Sequence, residues 1–143
     1  MRLWHKDMIP VLPRKQLLGQ WRECCAIMRN IALNGSPNHV LVNKIMDYPL
    51  KEFFYYTEAV VDEMERRGYR PDCTKFGQWW EKTGKPIPNT DKEAVKKIFK
   101  GWHNDRYFLQ CWSNLQEKLD CGAITLEEFL PIETLKFRKG LVK

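Results

Sequence analysis

The chain has 143 residues, of which 43% are hydrophobic and 13% aromatic, and its formal net charge is +6 at pH 7. The apolar and aromatic content excludes an intrinsically disordered chain, and the length suits one domain, residues 1–143, with a hydrophobic core. The surplus of positive charge favours a polyanionic partner such as nucleic acid or an anionic membrane surface, and its spread along the chain favours a folded electrostatic face over a disordered arm.

The five cysteines and three histidines do not have the spacing of a metal site or of a disulfide framework. The odd number of cysteines, the adjacent pair Cys24 and Cys25 and the lack of a C-x-x-C segment favour reduced, mostly buried thiols. No stretch approaches the roughly 18 apolar residues of a membrane span, and no signal-peptide core is present. We therefore expect a cytoplasmic protein with no membrane segment and no metal.

Residues 1–13 are predicted to form an extended leader. Pro10 and Pro13 favour extended conformations in the residues before them, and Pro13 suits the start of a helix. Leu3 and Trp4 are expected to anchor this leader to the core.

Apolar residues at helical spacing predict α-helices along the rest of the chain. Asn34-Gly35-Ser36-Pro37 ends the first helix, and Thr125 with Glu128 forms a capping-box pattern before the last one. No alternating pattern is long enough to seed a sheet. We predict an all-α fold of about five helices, with the two strongest packed together. The predicted helices cover about residues 14–33, 50–67, 72–81, 104–119 and a short segment after 125, with a further short helix possible within 38–47.

Two basic segments lie in the second half of the chain. Residues 91–100 carry four lysines on a predicted amphipathic turn of helix, which is either a solvated face or a DNA contact. The tail, residues 135–143, is also basic and contains one aromatic residue, Phe137. Four tryptophans suit helix interiors better than base-stacking platforms: Trp79, Trp80, Trp102 and Trp112.

Residues 16–29, together with Lys15 just before them, present three stripes at helical period. One stripe is apolar and predicts the face that packs on the core, and the other two place a carboxylate beside cations. On pattern alone, a solvated outer face is the simpler interpretation of the polar stripes. The apolar stripe is Leu17, Trp21, Cys24, Cys25 and Met28, the polar stripe Gln16, Gln20 and Glu23, and the cationic stripe Lys15, Arg22 and Arg29.

Two ordered segments resemble the pyrimidine dimer DNA glycosylase family, the endonuclease V-type enzymes of phage and bacteria. The first is Met1-Arg2-Leu3-Trp4 followed by Leu17-Leu18-Gly19-Gln20-Trp21-Arg22-Glu23. The second is His39-Val40 followed by an aromatic-rich helix that ends in Glu65-Arg66-Arg67-Gly68-Tyr69. The resemblance covers residues 1 to about 70.

The resemblance implies a compact all-α glycosylase and abasic-site lyase that acts on damaged double-stranded DNA, without metal or cofactor, and we expect a monomer. In such enzymes the N-terminal α-amine attacks the sugar carbon that bears the damaged base, forms a Schiff base and permits strand cleavage by β-elimination. Met1 matches this amine, and Glu23 matches the glutamate that stabilises positive charge on the sugar and transfers protons.

The resemblance also assigns DNA contacts. Arg2 and Arg22 match arginines that hold phosphates around the lesion. A third family arginine is replaced by Ala26, and Arg29, one helical turn later, is the candidate substitute. Three more residues are candidate DNA contacts: Gln16, Gln20 and His39. The alternative for the two glutamines is a solvated side chain, and the alternative for His39 is a structural role in which it bonds to backbone.

Two departures from the family pattern bear on the chemistry. Well-known members expose a threonine after methionine removal, whereas the second residue here is Arg2. Because methionine removal normally requires a small second residue, we expect Met1 to be retained and deformylated. The family's aromatic, lysine-rich C-terminal segment is not reproduced by LKFRKGLVK. The alternatives are therefore a lesion or modified base other than the cyclobutane dimer, or a non-catalytic basic module that binds nucleic acid.

Overall fold

The computed structural model describes residues 1–141, and within that range it contains five α-helices and no β-strand. The predicted all-α fold is therefore confirmed, and the helix bounds agree closely with the predicted ones. The helices are α1 (Arg14–Asn34), α2 (Leu50–Arg66), α3 (Thr74–Lys82), α4 (Asp105–Asp120) and α5 (Leu126–Arg138).

The ends of the helices follow the chemistry that the sequence predicts. Gly35 ends α1 in the left-handed conformation, with φ of 77°, and donates its N–H to the carbonyl of Ile31. Thr125 and Glu128 form a reciprocal capping box at the start of α5. Asn104 caps α4 by accepting the backbone N–H of Tyr107.

Three short 3₁₀ helices are also present: Lys6–Val11 in the leader, Asn43–Asp47 within the segment where a short helix was possible, and Ala94–Lys97 in the basic segment. The leader is therefore not extended throughout, because His5 caps a turn that buries Met8 and Ile9. The turn of helix expected in residues 91–100 is the short 3₁₀ helix Ala94–Lys97, and no side chain caps it.

The last helix is longer than predicted and includes part of the expected basic tail. It continues to Arg138 because the amine of Lys136 is buried 3.9 Å from the ring centroid of Trp112 and 3.4 Å from the carboxylate of Glu133. Burial of this lysine stem on an aromatic ring stabilises the helical turn. The end of the predicted tail, residues 142 and 143, lies outside the described residues.

All five helices and the leader contribute to one hydrophobic core. Within it α1 packs on α2 and α3, which confirms the predicted contact between the two strongest helices. The leader anchors Leu3 and Trp4 are both buried in this core, as predicted. Among the tryptophans expected inside, Trp80 and Trp102 are buried and the other two are half-buried.

The cysteines are all unpaired, as expected, but fewer of them are buried than the sequence suggests. Cys24 and Cys111 are buried, Cys25 is half-buried, and Cys73 and Cys121 are exposed. Residues 1–141 contain no cluster of three or more metal-ligating side chains. No helix in this range has the length and apolar character needed to cross a membrane.

Candidate active site at the N-terminal leader

The leader is held against three helices by hydrogen bonds to its backbone. The Trp4 carbonyl accepts the hydroxyl of Tyr56 from α2 at 2.6 Å, and the Leu3 carbonyl accepts the hydroxyl of Tyr107 from α4. The Trp4 N–H donates to Oε1 of Gln20 from α1 at 2.8 Å. An irregular segment bonded to three helices is fixed in place, so the atoms at its start are positioned by the fold.

Gln20 is the central side chain of this attachment. Its exposed fraction is 1%, and its Nε2 donates to the Arg2 carbonyl at 2.9 Å while its Oε1 accepts the Trp4 N–H. The amide thus accepts from and donates to the leader backbone, as the peptide groups of a neighbouring β-strand would. Its oxygen and nitrogen are therefore occupied by hydrogen bonds within the protein. This placement corrects the expectation that Gln20 faces solvent or DNA.

Glu23 lies one helical turn after Gln20 and reaches the first peptide of the chain. Its Oε2 accepts the backbone N–H of Arg2 at 3.2 Å. Since that nitrogen is one residue from the N-terminus, backbone geometry puts the Met1 amine within about 7 Å of the carboxylate. Glu23 is half-buried and makes no ion pair within residues 1–141, and Met1 is 37% exposed. The site therefore combines an accessible amine with an unneutralised carboxylate.

The arginines predicted to bind phosphate have no acidic partner among the described residues. Arg2 lies over the Trp4 ring, with 5.2 Å between its Cζ and the ring centroid. Arg22 and Arg29 are exposed on α1. Guanidinium groups without an internal carboxylate are available to an external anion.

His5 of the leader and His103, which lies against the leader, are both buried, and the sequence did not identify either as part of the site. The Nδ1 of His103 accepts the Lys6 N–H at 2.9 Å, and the Nδ1 of His5 accepts the Asp7 N–H at 3.1 Å. Burial lowers the pKa of His5 to about 4, outweighing the raising effect of Asp7, and lowers the pKa of His103 well below its usual value. Both rings are thus neutral acceptors at neutral pH, and His5 does not form an ion pair with Asp7.

The remaining predicted contacts lie in different surroundings. His39 is half-buried, and its Nδ1 accepts the Leu41 N–H at 3.3 Å, which supports the backbone-bonded role. Gln16 is half-buried, and its side-chain oxygen has no hydrogen-bond donor within residues 1–141. In the basic segment, Lys92 pairs with Asp62 and Lys96 pairs with Glu93, each at 2.8 Å. These pairs favour a solvated face for that segment.

Comparison with known proteins identifies one matching family. The model of the family described as pyrimidine dimer DNA glycosylase matches residues 1–76, which is just over half of the chain. The match covers the leader, α1, α2 and the start of α3, and so includes Met1, Gln20, Glu23 and Tyr56. No curated protein and no solved structure matches the chain.

Proposed function

The chain belongs to the pyrimidine dimer DNA glycosylase family, and on that premise we propose that it is both a glycosylase and an abasic-site lyase. It removes a damaged pyrimidine of a cyclobutane dimer from double-stranded DNA and then cuts the strand. The Met1 α-amine is the nucleophile, and Glu23 is the residue that stabilises charge and transfers protons. We propose that the protein acts as a monomer.

The hydrogen bond between Glu23 and the Arg2 backbone carries this proposal. It links the carboxylate to the peptide that follows the amine, with 3.2 Å between Oε2 and the nitrogen. A carboxylate at that distance also lies close to any sugar carbon bonded to the amine. Positive charge that develops on that sugar is therefore stabilised by a group already in position, which is the most effective form of electrostatic catalysis.

The proposed reaction proceeds in balanced steps. The neutral amine attacks C1′ with its lone pair, and the electrons of the C1′–N bond leave with the base, which gains a proton. The attached nitrogen then loses a proton to Glu23, and its lone pair forms the C1′=N bond of the protonated Schiff base as the C1′–O4′ bond breaks and O4′ takes up a proton from Glu23. Removal of a C2′ proton then expels the 3′ phosphate by β-elimination. An α-amine suits the first step because it is a weaker base than a lysine amine.

The unpaired arginines supply the proposed binding of DNA. Arg2, Arg22 and Arg29 would contact phosphates around the lesion, which position the duplex without reading its sequence. Because a stacked nucleotide hides C1′ from an attacking amine, binding must also displace a nucleotide from the helix.

A different damaged or modified base is a second candidate substrate, favoured by one observation. The groove next to Arg2 is bordered by Arg106, Gln110 and Asn114 of α4, and α4 lies outside the residues matched by the family. A base displaced into this groove would therefore meet side chains that lie outside the matched residues.

Borohydride trapping with untagged protein tests the proposal. The protein is incubated with an abasic-site duplex and, in parallel, with a dimer-containing duplex. We expect a reduced covalent adduct that maps to Met1 with both duplexes and is lost after N-terminal acetylation and in Glu23→Gln. Trapping with only the abasic duplex would keep the amine chemistry but indicate another base. If neither duplex is trapped, the enzymatic proposal fails and a DNA-binding module remains.

A further inference from the structure

An exposed apolar tip lies in the turn between α1 and α2. Val40 is 81% exposed and Leu41 is 54% exposed, whereas the next residue, Val42, is fully buried. The His39 carbonyl accepts the backbone N–H groups of Val42 and Asn43 at 3.0 and 2.9 Å. The tip is thus held by its own hydrogen bonds and by a buried anchor, while two adjacent aliphatic side chains remain in solvent.

This tip lies beside the proposed active site. Leu41 borders a groove of about 650 Å³ together with Arg2 and a second groove of about 310 Å³ together with Lys44. Tyr107 borders both grooves, and its hydroxyl donates to the Leu3 carbonyl. The same α4 side chain therefore supports the leader and lines both grooves beside the tip.

The two grooves have a cationic lining without an opposing negative charge. Arg2, Lys44 and Arg106 line them, and no aspartate or glutamate does. None of these three cations takes part in an ion pair within residues 1–141. An apolar tip between unpaired cations matches the chemistry of nucleic acid, in which stacked bases lie between two rows of phosphates.

We propose that Val40 and Leu41 form a wedge that inserts into the base stack beside the lesion, with the flanking phosphates bound by Arg2, Lys44 and Arg106. Apolar side chains inserted at a base step partially unstack it and kink the duplex. This opening would expose C1′ of the target nucleotide to the Met1 amine. The inference rests on the proposed function only in taking duplex DNA as the ligand, and the wedge can be tested without catalysis.

The test uses the double variant Val40→Ser/Leu41→Ser and the control Ile87→Ser. Ile87 is 73% exposed and borders neither groove, so it is a matched change of an exposed aliphatic side chain. Each protein, at saturating concentration, is mixed with a duplex that carries 2-aminopurine beside an uncleavable tetrahydrofuran abasic site. We expect wild type and the control to raise the fluorescence equally, and the double variant to lose most of that increase, because unstacking removes the quenching of 2-aminopurine. An equal increase with the double variant would overturn the wedge, and would leave Val40 and Leu41 to contact a protein partner.

Incision assays separate failure of the wedge from failure of the proposed function. We expect the double variant to incise a dimer-containing duplex at least about tenfold more slowly than wild type, but to cleave an abasic site in single-stranded DNA at the wild-type rate. Equal loss on both substrates would overturn the wedge, because single-stranded DNA needs no unstacking. If wild type raises the fluorescence and the double variant does not, but wild type incises nothing, the proposed function fails and the wedge stands. If wild type binds the duplex and leaves its fluorescence unchanged, the wedge fails whatever the incision result.

Discussion

Gln20 pairs with the backbone of Trp4 in the interior of the protein, with 2.8 Å between Oε1 and the Trp4 nitrogen. The other end of the same amide donates to the Arg2 carbonyl, so one side chain bonds to the leader on both sides of Leu3. Glu23 then contacts the next peptide towards the N-terminus. Two side chains one helical turn apart thus set the position of the proposed nucleophile.

Replacing Gln20 by Met should release the leader. The change keeps the side-chain volume but leaves the Trp4 N–H and the Arg2 carbonyl without partners, at a cost of about 1–3 kcal/mol in unfolding free energy. The incision rate should fall by more than the decrease in the fraction of folded protein, because the folded variant no longer holds the Met1 amine in place. Urea unfolding and single-turnover incision measure the two effects. Gln78→Met on α3 is the control, since Gln78 is exposed and is not a candidate DNA contact. Equal effects of the two changes would contradict the positioning role.

Glu23→Gln should remove catalysis and preserve DNA binding. We expect the rate of abasic-site cleavage to fall by roughly 10²–10⁴, since a glutamine neither transfers protons nor balances charge on the sugar. Affinity for the duplex should stay equal or rise, because a negative charge is lost near the phosphates. Single-turnover kinetics and fluorescence anisotropy measure these quantities, with the exposed Glu81→Gln on α3 as control. A parallel loss of binding and rate would assign Glu23 a structural role only.

The sequence predicts the helices better than it predicts the site. The reason is that helix ends depend on residues close together in the sequence, whereas the site depends on residues far apart in it. Periodic apolar residues and local caps such as Gly35 and Thr125 define helix ends within a few positions, so those ends were predictable. The partners of the leader are 16, 52 and 104 residues away from it, in Gln20, Tyr56 and Tyr107. No local pattern distinguishes a glutamine that bonds a distant backbone from a solvated one. The family resemblance located Glu23, but only the fold shows what holds the leader beside it.

The same limit applies to the buried histidines and to the last helix. His5 lies in an irregular segment and His103 just before α4, where no periodicity marks an inward position. Lys136 belongs to a basic run that suggests a solvated tail, yet contact with Trp112 buries it. In each case a tertiary aromatic contact outweighs the local preference for exposure.

The salt dependence of DNA binding should identify which cations contact phosphate. Arg22→Ala should reduce the slope of log affinity against log salt by about 1, because one fewer counterion is released on binding. Lys96→Ala should leave the slope unchanged, since Lys96 already pairs with Glu93 at 2.8 Å. Anisotropy titrations over a range of salt concentrations test both variants on the same duplex. An unchanged slope in Arg22→Ala would remove this residue from the interface.

Folding stability should decline when the pH falls from 6.5 towards 4, because His5 is buried in its neutral form. Its pKa is lowered from 6.5 to about 4, first by burial and further by Lys6 and Lys139, with Asp7 opposing. The unfolded chain therefore binds a proton in this range that the folded chain does not, which lowers the unfolding free energy by up to about 3 kcal/mol. Urea unfolding at successive pH values measures the decline, and His103 should add to it because its pKa is lowered as well.

His5→Asn preserves an acceptor for the Asp7 N–H without the ionisation, so the stability of this variant should decline less than that of wild type. An identical decline would show that His5 is not the group responsible.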